Sequence, residues 1–220
     1  MPTPSIRERA EAISSFWFST LDDDAVLAPG TDPFASCYAR WYGKRPEIDR
    51  EIRRLFEEDL LAVTRDGSSW NAQLDAWSAV PDGLLALVVL LDQFPRNMYR
   101  DTPRMYQYDP LALTTAFLAS RAGVQRSLPL VKRMFLVVPL MHIESVTIQE
   151  AMVREFEELA ELAKSRSPGN ASFFGHALSY ARRHLEIVRS FGRFPHRNQI
   201  LGRDSTEAEL RFLQQPDSAF

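Results

Sequence analysis

Helix punctuation recurs along the whole chain, while the strict alternation of apolar and polar residues that marks a half-buried strand is almost absent. Ser5 and Glu8 have capping-box spacing, and Ala12, Ile13, Phe16 and Trp17 then recur at helical intervals, predicting a first helix that ends near Phe18. From Glu51 to Val63, Ile52, Leu55, Phe56, Leu60 and Val63 form one apolar stripe with charges opposite. Asp82 is placed to cap the run Leu84 to Phe94, which is apolar on every side and is expected to stop at Pro95. Asp109, with Pro110 after it and Gly123 beyond the end, reads as the cap of another helix.

The second half repeats the pattern. Ser127 to Val138 reads as an apolar helix ended by Pro139, and Thr147 with Glu150 as a capping box before Ala151, Met152, Phe156, Leu159 and Ala163. Pro168-Gly169-Asn170 closes that helix, a stripe from Phe173 to Val188 runs up to Gly192, and Thr206 with Glu209 opens a last short helix through Leu213. The sum is an all-α chain of about eight or nine helices with short connections, a bundle or an array of helical hairpins. No internal period of about 33–45 residues is visible.

A length of 220 residues fits one helical domain, 1–220, with a tail at 214–220 expected to fray. A net charge of -3 provides no global basic field, so neither nucleic acid nor an anionic membrane is an expected partner. The longest apolar stretch, Leu84 to Leu91, is too short to span a bilayer and no signal-peptide core opens the chain, so a cytoplasmic location is expected. Cys37 stands alone, which excludes an internal disulfide or a multi-cysteine zinc site and suits a small buried side chain. Trp17, Trp41, Trp70 and Trp77 read as core or wall residues, and no cofactor is assigned to them.

One internal echo stands out. Phe94-Pro95-Arg96-Asn97 returns, with an inserted histidine, as Phe194-Pro195-His196-Arg197-Asn198. In both places the phenylalanine is expected to follow a helix that the proline stops, and the polar pair to cap exposed carbonyls. A functional use has equal weight: arginine offers a planar fork of donors for carboxylate or phosphate, and asparagine both donates and accepts.

The stretches Leu91-Asp92-Gln93-Phe94-Pro95-Arg96-Asn97 and Phe191-Gly192-Arg193-Phe194-Pro195-His196-Arg197-Asn198, with Leu201-Gly202-Arg203 and Ser205-Thr206 behind them, resemble an uncharacterised bacterial family, domain of unknown function 924. Phe16-Trp17-Phe18 and Trp41-Tyr42-Gly43-Lys44 also look like its motifs, so the resemblance covers nearly the whole chain. It implies a tetratricopeptide-like superhelical arrangement and no established activity. The family usually carries His-Ser-Glu-Asp in mid-chain; here His142-Ile143-Glu144-Ser145 keeps the histidine and the first acid and lacks the second.

Metal binding has no support in the spacing. His176 and His184 share one helix about 12 Å apart along its axis, too far for one first-row ion, and His142, Glu144 and His196 match no metal motif. Nucleophile elbows and phosphate loops are missing as well. The charge distribution is more informative than the total. Arginines crowd Arg182 to Arg203 and glutamates crowd Glu144 to Glu161, where neighbouring helices are expected to pair or solvate them. Arg193, His196, Arg197 and Arg203 instead fall in a glycine-punctuated segment after a helix, a place where arginines more often serve a ligand.

Three functions follow. The first is binding of a small anionic metabolite, bearing phosphate or carboxylate, by Asp92, Arg96, Asn97, Arg193, His196, Arg197, Asn198 and Arg203, with Asp92 orienting an arginine. The second is a hydrolase or lyase with His142 or His196 as general base and Glu144 as partner. The third is a scaffold for a protein partner, the common use of tetratricopeptide-like folds.

Overall fold

Local capping chemistry starts and ends the chain as predicted. Helix α1 (Ile6–Phe18) opens on Ser5, whose hydroxyl accepts from the Glu8 amide at 3.3 Å while the Glu8 carboxylate accepts from the Ser5 amide at 2.7 Å. Thr206 and Glu209 form the same reciprocal box before the final helix. The computed structural model describes residues 4–65, 70–216 and 218, and among them there is no strand.

After α1 come α2 (Phe34–Tyr42), α3 (Pro46–Thr64) and α4 (Trp70–Ser78). A central rod follows, made of α5 (Gly83–Val88), one π turn (Val89–Gln93) and α6 (Phe94–Met98). The second half holds α7 (Asp109–Arg121), α8 (Leu130–Met141), α9 (Val146–Arg166), α10 (Ala171–Phe191) and α11 (Glu207–Leu213). Counting the rod once, the described residues form ten helices.

The rod is the middle of the molecule because its residues from Gly83 to Pro95 are all buried. Helices α1, α7 and α8 pack on α5, α3 packs on α6, and the α9–α10 hairpin lies against α8. Contacts such as α1 with α5 and α3 with α6 cross the chain, so the core is more than a stack of neighbours in sequence. Aromatic rings fill its centre: Phe94 stacks on Phe56 at 4.7 Å, and Trp17 meets Phe94 and Phe135 edge-on at 5.5 and 5.9 Å. Trp17, Trp41 and Trp77 are buried and Trp70 is half-buried, with the Trp41 indole donating to the Trp17 carbonyl at 2.9 Å. Cys37 is buried too, and burial pushes its thiol pKa up, away from reactivity.

Several sequence expectations need correction. Pro95 does not stop the central helix: a π turn sits immediately before it, with the Phe94 amide donating to the Val89 carbonyl, and the helix continues to Met98. A proline inside a helix lacks a donor and crowds the preceding turn, and the widened turn is where this helix absorbs both. Pro139 likewise lies inside α8. Asp82 adopts a left-handed conformation and makes no side-chain cap, and α9 begins at Val146 rather than on a Thr147 box. Asp109 is the first residue of α7, and its carboxylate is committed elsewhere.

Asn170, expected only to break a helix, ties a distant loop down. Its side chain accepts from the Leu27 amide at 2.8 Å and donates to the Ala25 carbonyl at 2.7 Å. The charge runs on α9 and α10 pair across the hairpin, Arg182 with Glu157 at 2.8 Å and Arg189 with Glu150 at 2.7 Å. In the tail expected to fray, residues 217, 219 and 220 lie outside the described residues, whereas the Ser218 hydroxyl donates to the Leu213 carbonyl at 3.0 Å. Among the described residues no helix is long and apolar enough to cross a membrane.

Candidate functional site

The π turn that accommodates Pro95 also sets the polar centre of the molecule. It carries Asp92, which is 0% exposed at the end of the apolar run Leu84–Leu91 and must therefore be paired. Its carboxylate meets Nδ1 of His142 at 2.7 Å and the guanidinium of Arg96, one turn on, at 3.3 Å, and the Gln93 side chain donates to it as well. His142 stands at the C-terminal end of α8. Its surroundings are fixed by Gln149, fully buried, whose side-chain amide donates to the carbonyls of Met141 and Ile143 at 2.7 and 2.9 Å.

The second Phe-Pro corner reaches the same place from the other side. Arg197, on the short turn Pro195–Arg197, is 7% exposed and donates to the His142 carbonyl at 2.9 Å. Asp109 lies between the two arginines, 3.0 Å from Arg96 and 3.8 Å from Arg197. Tyr106 offers its ring to both, 4.5 Å from the guanidinium of Arg197 and 5.9 Å from that of Arg96. Arg197 also covers the Phe194 ring at 4.5 Å, and its Nε is buried with no hydrogen-bond partner.

A second cluster adjoins the first. Glu144 accepts from Arg203 at 2.7 and 2.9 Å and from the Phe194 amide at 2.8 Å, and Arg203 donates to the Asn198 side chain at 3.0 Å. Arg193 turns away to grip Glu209 at 2.7 and 2.8 Å, which holds α11 in place. Asn97 points to α3, donating to Asp49 at 2.9 Å. Of the residues singled out in the sequence, then, Asp92, Arg96, Arg197 and His142 converge; Glu144, Asn198 and Arg203 form the flank; Asn97 and Arg193 serve other helices. The partner of His142 is Asp92, and Glu144 is held by Arg203. Asp109, Tyr106 and Gln149 escaped sequence reasoning, and only the helix-start position of Asp109 had marked it at all.

Protonation follows from these contacts. Burial opposes ionisation of Asp92, but the Arg96 charge and the bond from His142 hold its carboxyl below the usual range. Burial and the Arg96 charge lower His142, against the pull of Asp92, so the pair is a carboxylate beside a neutral imidazole at neutral pH. Burial and then the Arg96 charge lower Arg197, against the pull of Asp109. His196 is pushed down to about 4 by burial and Arg197, and His184, behind Phe194, to about 3, chiefly by burial.

Depressed histidines make stability depend on pH. An unfolded chain takes up these protons near pH 6.5, whereas the folded one refuses them until about pH 4 at His196 and about pH 3 at His184. Their contribution is therefore complete above about pH 6.5 and is lost as pH falls through that window. The melting temperature is expected to drop steadily from pH 7 to pH 4, and less steeply in His196→Asn. Parallel curves for the two proteins would contradict this assignment.

Two open grooves flank α10, of about 410 and 620 Å³, but they lie away from the His142 cluster, and Arg182 and Arg189 in the first are already paired with glutamates. Among the described residues, no three His, Cys, Asp or Glu side chains gather as a metal-binding group.

An all-helical protein with two Phe-Pro corners meeting at a buried Asp–His–Arg network is the class these features define. The chain belongs to the family described as bacterial protein of unknown function (DUF924), which matches residues 13–217. It is similar to a solved structure, the protein of unknown function ATU0120 from Agrobacterium tumefaciens, at 32% identity over 93% of this chain and 96% of that one, with a TM-score of 0.69. No curated protein matches the chain.

Proposed function

We propose that the protein binds a small anionic metabolite, bearing phosphate or carboxylate, where Arg96 and Arg197 converge beside His142. The observation that carries this reading is the arginine pair itself. Two guanidinium groups from the two Phe-Pro corners share Asp109 and the Tyr106 ring, and Arg197 keeps a buried Nε donor unused. A buried donor without a partner costs roughly 1–3 kcal/mol, and a bound oxyanion removes that cost. The charges point the same way. Burial first and the Arg96 charge second lower the Arg197 pKa, and an added anion offsets both. Planar forks are the natural receptor for a carboxylate or phosphate.

Thermal shift with inorganic phosphate and with small dicarboxylates tests the reading. At a hundredfold excess over the dissociation constant, binding stabilises by about 2.7 kcal/mol, or roughly 5–10 °C for a chain of this size. The shift is expected to vanish in Arg197→Lys, which keeps the charge and loses the fork, with each protein compared to its own unliganded melt. Silence across these anions from a folded wild type overturns the proposal and favours a protein partner instead.

A further inference from the structure

His142 has chemistry that anion binding alone does not use. Its Nδ1 faces the Asp92 carboxylate at 2.7 Å, so Nδ1 carries the hydrogen and donates it, which leaves the lone pair on Nε2. Among the described residues Nε2 has no hydrogen-bond partner, it is not one of the buried unpartnered atoms, and the side chain retains 16% exposure. A buried carboxylate fixing the tautomer of a mostly buried imidazole whose edge still reaches solvent is the arrangement that lets a histidine accept a proton. It is built on a π turn, a rare element that recurs at functional sites.

Resting on the anion-binding reading above, we propose that His142 is a general base which takes the proton of a water or hydroxyl poised beside the bound anion, the step a hydrolase acting on an anionic substrate requires. The O–H bond breaks, its electron pair stays on the oxygen, and the proton forms an N–H bond at Nε2. Asp92 remains ionised throughout and stabilises the imidazolium; it is a positioning residue. Arg96 and Arg197 hold the anion, and Glu144 takes no part because Arg203 occupies it. The groups that face His142 are Asp92 and Arg96 from the rod, Asp109 from α7, Arg197 and His196 from the second corner, and His184 from α10. Their balance favours the neutral ring, so the base is ready at neutral pH.

Diethyl pyrocarbonate, which acylates only the unprotonated imidazole nitrogen, tests this without a known substrate. Labelling of the full chain is followed residue by residue by peptide mass spectrometry between pH 6 and 7.5, with and without inorganic phosphate. A free imidazole reference slows roughly fourfold on going down that range, given an ordinary value near 6.5. His142, whose pKa is lowered, is expected to slow less than that reference, and phosphate to protect it at least fivefold while leaving exposed His176 unchanged. In Asp92→Asn the carboxylate charge that holds the hydrogen on Nδ1 and supports the ring is gone, so labelling of His142 is expected to fall at pH 7.5. Unlabelled His142, a profile that follows the free reference, or labelling that phosphate does not slow each overturns the general base. Whether phosphate still raises the wild-type melting temperature then tells whether anion binding stands without it. The wild-type profile decides the matter even where Asp92→Asn fails to fold.

Discussion

Truncation of Phe94 to alanine is expected to remove about 3–5 kcal/mol of stability, the cost of deleting a large aromatic side chain from a packed interior and leaving a cavity. Phe94 is fully buried, stacks on Phe56 at 4.7 Å and takes the edges of Trp17 and Phe16 at 5.5 and 6.1 Å. No neighbour can close the gap without moving the central rod, because α1 and α3 both pack on it there. Its echo, Phe194, is equally buried but sits in a small satellite cluster with Ile187 and Val188. Phe194→Ala is therefore expected to cost less than Phe94→Ala. Urea unfolding of both variants measures this; a loss below about 2 kcal/mol at Phe94, or the reverse order, would sink the view that the rod organises the core.

Much of the fold was legible because its signals are local. Ser5 with Glu8 and Thr206 with Glu209 satisfy amides within three residues, and Gly123 and Gly192 take the positive φ of 73° and 69° that end α7 and α10. Proline misled the reading at 95 and 139 because the rule describes a helix standing alone. Inside the core, apolar contacts on every side of the rod outweigh one missing donor, and the π turn takes up the distortion.

The candidate site was legible in residue type and illegible in pairing. Asp92, Arg96, Arg197 and His142 were all singled out, yet nothing local states that the two Phe-Pro corners meet or that His142 turns to Asp92. Arg193, Arg197 and Arg203 look alike in sequence. Only folding shows that Glu209 holds the first and Glu144 the third, while the second keeps a donor to spare. Asp109 was hidden by its good fit to a helix start, a role any aspartate before a proline suggests. The burial of the chain around Asp92 is what converts these separate charges into one network.

That network gives the second large effect. Asp92→Ala is expected to cost about 3–5 kcal/mol, since removing one partner of a buried ion pair leaves the other charge in a poor solvent. Here the abandoned group is Arg96, whose remaining partner Asp109 it shares with Arg197. The effect has a pH signature with a definite sign. The Asp92 carboxyl is held below its unfolded value, so its contribution is present above the ordinary carboxylate range and is lost as pH falls below it. The stability gap between wild type and Asp92→Ala is thus expected to be full at pH 7 and to narrow as the solution is acidified below about pH 4. Urea titrations at pH 7 and pH 3 measure it. A variant within about 1 kcal/mol of wild type at pH 7 would mean that water reaches Arg96 freely, and the buried Asp–His–Arg network would lose its physical basis.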